Sequence, residues 1–410
     1  MFTEDQKYYA LLTGISLGWL AILAVVLQVF SQNFIYPDST TYLQAARQFY
    51  ESFEPNDTRT MLLAAINGIP YLFGFADDAV FSWSIGVNIG SWVGVVLMLF
   101  RILRDFMNVT FAFMMSLLYV FCVGSAMVTF HLLADSVFTF FLFLSVFLLR
   151  GYHRYGKYIY LASAISVLLL SLLVKPAGKF LVIIAMVLFG GKIIRNFFSK
   201  SNLLLLLSLS FVVFQMALMK KHYGNFTLTY IDSFTYFNYL GTRADCFKEG
   251  TEFRQCDNNR YDYFLKFSPS QQKEIAAADA KSQLFNNTGN LFGAYLTNIW
   301  INSTHGSAAV SDAQNVNDVK YHNGLKFIFK VMAKIQIVML SAAGIFLSLF
   351  FLFRFRTYGG FFAAIALINL YIIGISGVSS DQGDRFHIVI YPMVILLLGK
   401  FLADKLSIRH

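Results

Sequence analysis

Charge is what this chain has least of. Only 13% of its 410 residues are Asp, Glu, Lys or Arg, against about 25% in an ordinary soluble domain. That scarcity excludes a soluble enzyme and a disordered chain, both of which depend on charged side chains in water. Cysteine is scarce too. Cys122, Cys246 and Cys256 are the only three, too few for a disulfide-dense secreted module. No paired CxxC or accompanying His spacing marks a zinc site. What fills the chain instead is apolar: 57% hydrophobic residues, including 45 Phe and 22 Tyr, with a mean hydropathy of +0.58. The composition is that of an all-α polytopic membrane protein.

A bilayer core of about 30 Å needs roughly 20 apolar residues per helix. Ten stretches meet or approach that length: Tyr8–Phe30, Val80–Phe100, Phe106–Val128, Ser136–Leu149, Tyr158–Val174, Phe180–Ile194, Leu203–Met219, Ile328–Phe353, Phe361–Gly377 and Ile388–Leu402. The fourth and tenth are short enough to require tilt or partial re-entry. Lys and Arg are retained in cytoplasmic loops. Here they follow every second span: Arg101 and Arg104; Arg150, Arg154 and Lys157; Lys192, Arg195 and Lys200; Arg354 and Arg356; Lys400, Lys405 and Arg409. Lys220–Lys320 carries ten basic and ten acidic residues. This pattern predicts about ten spans with both termini cytoplasmic, so the net charge of +9 reports topology and not nucleic-acid binding. With no basic leader or small-residue cleavage site before it, the first span is expected to be a retained signal anchor.

Three segments fall on the opposite, outer side. The first, Ser31–Ala79, carries amphipathic patterns expected to lie as interfacial helices. Ser39–Phe53 places Tyr42, Ala45, Ala46 and Phe49 on one face, with Asp38 or Ser39 as N-cap, and a second helix is expected over about Thr58–Leu72. The second, residues 220–325, is expected to form a small outer subdomain with one helical piece near Ser270–Phe285. Cys246 and Cys256, ten residues apart there, are expected to form a disulfide if that side is oxidising, and to be free thiols otherwise. Asn56, Asn225, Asn286 and Asn302 stand in N-x-S/T triplets, which arise often by chance. The third is the set of short turns His131–Asp135, Lys175–Lys179 and Ser379–His387. Ionisable groups at membrane depth are costly and face a cavity or a partner, which singles out Asp135, Lys175, Lys179, Asp381, Asp384, Arg385 and His387. The organisation expected is a membrane module over 1–219 including the first outer loop (31–79), a loop subdomain over 220–325 and a three-helix membrane segment over 326–410.

The run Tyr36-Pro37-Asp38-Ser39-Thr40-Thr41-Tyr42-Leu43-Gln44-Ala45-Ala46 after the first span resembles the GT-C glycosyltransferases, where an acidic residue precedes an aromatic, small-residue helix. Leu132-Leu133-Ala134-Asp135-Ser136, Leu173-Val174-Lys175-Pro176-Ala177-Gly178, and Asp384-Arg385-Phe386-His387 followed by Pro392 extend the likeness. It covers the first seven spans best and weakens after residue 220. Asp38 stands alone where many relatives carry two adjacent acids, and Lys175 stands where Arg is common. The resemblance implies a multi-span enzyme that takes sugar from a polyprenyl-phosphate carrier on the extracytoplasmic face. The acceptor it implies is a lipid-linked or surface glycan or a protein. The bacterial inner membrane is the expected location, and the sugar is left open.

Such a transfer needs a base for the acceptor hydroxyl and cations for the leaving phosphate. Asp38 is the expected base, beside its alternative as a helix cap. Arg385 and Lys175 are the first candidates for the donor phosphate, with Arg59, Lys179 and His387 behind them; snorkelling to lipid headgroups is the alternative for the lysines. Asp135 is read as an acceptor ligand, as a holder of a divalent cation with Asp38, or as a salt-bridge partner of Lys175. His131 and Tyr42 are placed beside it in supporting roles. The ligand set is too small to name a metal, and no cofactor is firmly implied. Two other readings remain: an O-antigen-type polymerase or ligase using Arg243, Arg254 and Arg260, and an ion-coupled transporter, which should show related halves.

Overall fold

The computed structural model describes residues 4–31, 36, 38–254, 259–380 and 382–406. The described chain is helical, with no strand among those residues. In order, the helices are α1 (Glu4–Val26), α2 (Ser39–Glu51), α3 (Met61–Asn67), α4 (Asp77–Leu103), α5 (Val109–Val120), α6 (Val123–Met127), α7 (Asp135–Tyr155), α8 (Tyr158–Leu172), α9 (Lys179–Arg195) and α10 (Asn202–Tyr223). They continue as α11 (Ile231–Thr235), α12 (Thr242–Glu249), α13 (Asn259–Phe264), α14 (Pro269–Asn286), α15 (Thr288–Thr304), α16 (Ala308–Ser311), α17 (His322–Phe353), α18 (Phe355–Tyr358), α19 (Gly360–Ser376) and α20 (Tyr391–Lys405).

Among the described residues, six helical segments are long and apolar enough to cross a bilayer: α1, α4, α7, Pro176–Arg195, α10 and α17. A seventh is bent by 64° between α5 and the stretch Val123–Phe130. The bend is stabilised by Gln336 on α17. Its side-chain carbonyl accepts from Val123 N at 2.9 Å and its amide donates to Phe121 O at 2.8 Å, satisfying backbone groups that hydrocarbon cannot. α8 and α19 are shorter apolar helices.

A chain of neighbours runs α10, α8, α7, α4. α20 packs against α4, α5, α17 and α19, and every residue from Ile388 to Leu397 is buried. A segment apolar on all sides belongs inside a bundle, which is why this short helix sits at the centre. α9 is the opposite case: Phe180, Ile183, Ile184 and Val187 stay exposed, an apolar face turned outward.

α2 starts at Ser39 as expected and buries Tyr42, Ala45 and Ala46. The expected Thr58–Leu72 helix is instead α3 followed by a 3₁₀ turn over Ile69–Phe73 with Pro70 in its first turn; proline cannot continue an α-helical ladder. Residues 220–325 hold six helices and a π-helical turn over Tyr236–Gly241, far more structure than the single expected piece. α14 matches that piece, and the Gln271 side chain accepts from Ser268 N in front of it. Two small apolar clusters, Phe237–Phe264–Ala276 and Leu240–Ala244–Ala294, give the segment cores of its own.

The charged turns segregate to the two ends of α7. Asp135 begins that helix and Arg154 lies in its last turn, a separation of roughly 30 Å at 1.5 Å per residue. Arg101, Asp105, Arg150 and Arg154 gather at the far end.

Candidate active site

Five charged side chains form a continuous array at the near end of α7. Arg59 Nη2 donates to Asp38 Oδ1 at 3.0 Å. Asp38 Oδ2 accepts from Arg385 Nη1 at 2.7 Å. Arg385 Nε and Nη2 both lie 3.1 Å from Asp135 Oδ2, and Asp135 Oδ1 accepts from Lys175 Nζ at 2.5 Å. Five separate segments supply these residues: the turns before α2, α3, α9 and α20, and the first residue of α7. Asp135 is wholly buried, whereas 30% of the Asp38 side chain is exposed. Of the two acids in the array, only Asp38 is open to an incoming molecule.

Asp38 does not cap α2 with its side chain. Its backbone carbonyl accepts from Thr41 N and Tyr42 N, and the carboxylate is left for the two arginines. Burial pushes the Asp38 carboxyl up, but Arg385 and Arg59 outweigh it and hold the group below its ordinary value of 3.8. Asp38 is therefore ionised throughout the neutral range.

The array opens on a cavity of about 320 Å³. Asp38, Tyr42, Arg59, Lys175, Lys179 and Arg385 line it, together with Pro176, Phe180, Ile375, Val378 and Phe386. Residues 220–325 close one wall with Ile231, Asp232, Phe234, Thr235 and Tyr239. The lining is thus part ionic and part apolar. Lys179 pairs with Asp232 across the rim. Tyr42 is buried beneath the Arg59 guanidinium, which lies 4.1 Å above its ring centre.

Two expected residues fall elsewhere. His387 is fully buried behind the array, between the Ser341 hydroxyl at 2.7 Å and the Ser376 hydroxyl at 3.1 Å, and does not line the cavity. His131 precedes Asp135 by four residues, but its backbone is extended (φ −115°, ψ 148°), so the two do not share a helical face. Its ring packs edge-on to Tyr36. Asp384 is buried against Gly124, where a methyl group would collide with its carboxylate; burial pushes its carboxyl up to about 7. No group of three or more His, Cys, Asp or Glu able to hold a metal occurs among the described residues. Asp135 takes the salt-bridge geometry with Lys175, and Arg385 occupies the space between Asp38 and Asp135. Cys256, the expected partner of Cys246, and Asp381 lie outside the described residues.

Several functional neighbours were not evident in the sequence. Gln382 accepts from Arg385 Nη1 at 2.7 Å and donates to the Tyr239 hydroxyl at 2.8 Å, joining the array to the 220–325 segment. Its position one turn before Arg385 was the available signal. Tyr36 lies under Arg385, 4.7 Å from guanidinium to ring centre. The Arg385 turn is itself held by α15. Asn298 donates to Gly377 O, Asn302 donates to Ser376 O and Ser379 O, and the Tyr295 hydroxyl donates to Gly374 O. These bonds supply side-chain donors to carbonyls at the end of α19 and in the turn after it, two of which, Gly374 O and Ser376 O, also accept from the backbone N–H groups of Gly377 and Ser379. Gly383 completes the turn at φ +62°, with backbone atoms 2.9 Å from where a side chain would begin. The same bonds settle two of the N-x-S/T triplets: Asn302 is fully buried, and Asn56 is buried with its side chain accepting from Thr58 N and Arg59 N. Both amides serve the fold.

No protein-family model matches the chain, and no curated protein matches it in sequence.

Proposed function

We propose that this chain is an inverting membrane glycosyltransferase that moves a sugar from a polyprenyl-phosphate donor to a glycan or protein acceptor, with Asp38 as general base. The observation that carries the reading is the array itself. Three cations alternate with two carboxylates on one cavity, leaving one positive charge in surplus, and Asp384 beside it carries at most a partial charge at neutral pH. An anionic ligand balances such a site, and a phosphate diester on a lipid carrier is such a ligand. The apolar wall of Phe180, Ile375, Val378 and Phe386 suits the carrier's first isoprene units.

In the reaction the acceptor hydroxyl attacks the anomeric carbon and its proton passes to Asp38. The bond from that carbon to the phosphate oxygen breaks, and the electron pair leaves with the phosphate. Lys175 has two N–H groups beyond the one it gives Asp135, and it lines the cavity. Arg59 lines it as well. Arg385 already holds Asp38, Asp135 and Gln382; it orients the base and meets the phosphate as Asp38 gains its proton and loosens its grip. Preorganised cations of this kind lower the barrier because they need not reorient as charge develops.

Ten spans, both termini on the cytoplasmic side, the cavity facing outward and a bacterial inner membrane complete the proposal. The basic turns at the far end of α7 support that orientation. Two of the three arginines that favour a polymerase are otherwise engaged: Arg260 pairs with Asp245 and Asp279, and Arg243 is buried against Ser380. The test is sugar transfer from a synthetic polyprenyl-phosphate sugar by the purified protein in proteoliposomes. Asp38→Asn should abolish it with folding and donor binding retained; parent-like turnover rejects the assignment.

A further inference from the structure

The opposite end of α7 carries a second charged cavity that the transfer reaction does not use. Three arginines converge there on one carboxylate. Arg150 Nε lies 3.1 Å from Asp105 Oδ2, while Arg154 Nη1 and Arg101 Nη1 lie 2.5 Å and 3.3 Å from Oδ1. Asp105 is 9% exposed, whereas Arg101 and Arg154 are 41% and 45% exposed. Each guanidinium gives the carboxylate one nitrogen, and a guanidinium carries five N–H donors.

The simplest account of arginines here is that they compensate helix ends. Arg101 and Arg154 lie in the last turns of α4 and α7, and each C-terminus carries about half a negative charge. Three cations against one carboxylate and two such half-charges still leave a surplus of about one positive charge. The neighbouring Arg104 does not add to it, because Asp5 pairs with it at 3.1 Å. Beside the arginines is a cavity of about 200 Å³ whose wall includes Phe147, Leu148 and Tyr160. Phe147 and Leu148 come from the apolar part of α7, a bilayer-spanning helix. A positive pocket whose wall includes half-buried apolar side chains of a membrane-length helix matches a molecule with a phosphate head and an acyl body.

We propose that Arg101, Arg150 and Arg154 form a binding site for the phosphate of an anionic phospholipid, with Asp105 as the resident counter-ion that holds the arginines in place when the site is empty. The shared chemistry is phosphate recognition by arginine, which is bidentate where geometry allows. The apolar wall assigns the source to a lipid headgroup over free phosphate. The site is independent of the sugar-transfer reading, since no residue of the Asp38 cavity takes part.

Native mass spectrometry of the full-length protein in detergent tests this, with phosphatidylglycerol or phosphatidylcholine added at equal concentration. The parent should retain phosphatidylglycerol about tenfold over phosphatidylcholine, and the Arg150→Gln/Arg154→Gln variant should lose that preference. Should that variant fail to fold, the exposed single change Arg101→Gln should lower retention about threefold. Asp105→Asn removes the competing anion and should hold phosphatidylglycerol at least as tightly as the parent, whereas a purely structural cluster would lose the lipid along with its counter-ion. Unchanged retention in the arginine variants overturns the site, as does loss of lipid in Asp105→Asn. Displacement of the lipid by inorganic phosphate at matching concentration overturns the lipid assignment in favour of a soluble anion.

Discussion

Asp38 and Asp135 are both aspartates bonded to Arg385, yet their surroundings give them different tasks. Asp135 is fully buried against Lys175 and Arg385, so removing it leaves Lys175 without its carboxylate and Arg385 with Asp38 as its remaining counter-ion. Asp135→Ala should cost about 3–5 kcal/mol, read as a large fall in the unfolding temperature of the detergent-solubilised protein. Asp38 is partly open, and Asp38→Asn should fold while losing about 10²–10⁴ in turnover, the usual share of general acid–base catalysis. The two arginines hold the Asp38 carboxyl below 3.8 in the folded chain. Its stabilising contribution is therefore complete above that pH and is lost only as pH falls through the depressed value. The acidic limb of kcat/KM should accordingly have its midpoint below 3.8; a midpoint near neutrality would assign the titrating base to another group. Asp38, Asp135, Lys175 and Arg385 were all legible in the sequence, because charged residues beside long apolar runs stand out. Gln382 and Tyr36 were not, since an uncharged polar or aromatic residue in a loop carries no such mark.

At the scale of elements, the array depends on how α19 ends. Its last carbonyls are met by Tyr295, Asn298 and Asn302 from α15, which fixes the turn leading to Arg385. Asn302→Ala leaves Ser379 O without its side-chain donor and Ser376 O with only the Ser379 backbone N–H, at about 1–3 kcal/mol for the unsatisfied group. Differential scanning fluorimetry should record that loss, and transfer should fall further than stability alone requires because Arg385 loses its footing. Asn298 and Asn302 stand four residues apart on α15, a stretch where the sequence predicts no helix. Which carbonyls they serve was not legible either, because α15 and α19 are separated by more than fifty residues of sequence. The bend between α5 and α6 is similar: Gln336 supplies its support from α17, and nothing local to Cys122 announces it.

For the whole molecule, charge segregation along α7 makes orientation testable. With Cys246 and Cys256 replaced by serine, a cysteine at Lys248 should react with a membrane-impermeant maleimide in intact cells. A cysteine at Lys157 should react only after permeabilisation. Both lysines are exposed, so the two results are set by topology alone, and the reverse pattern would place the cavity on the cytoplasmic side.

Composition and apolar run length by themselves determined that this chain is helical and suited to a bilayer, because hydrocarbon admits only segments that satisfy their own backbone. The basic turns likewise singled out Arg101, Arg150 and Arg154, which collect at one end of α7. Only the tertiary structure decided what those residues do to one another. It freed the Asp38 carboxylate from capping duty, sent His387 to two serines behind the site, and interposed Arg385 between Asp38 and Asp135, the two acids considered as holders of a divalent cation. The reason is physical: a carboxylate's role follows from which cation lies within 3 Å and how much water remains around it. Those quantities are set by turns up to 347 residues apart in sequence, beyond the reach of any local pattern.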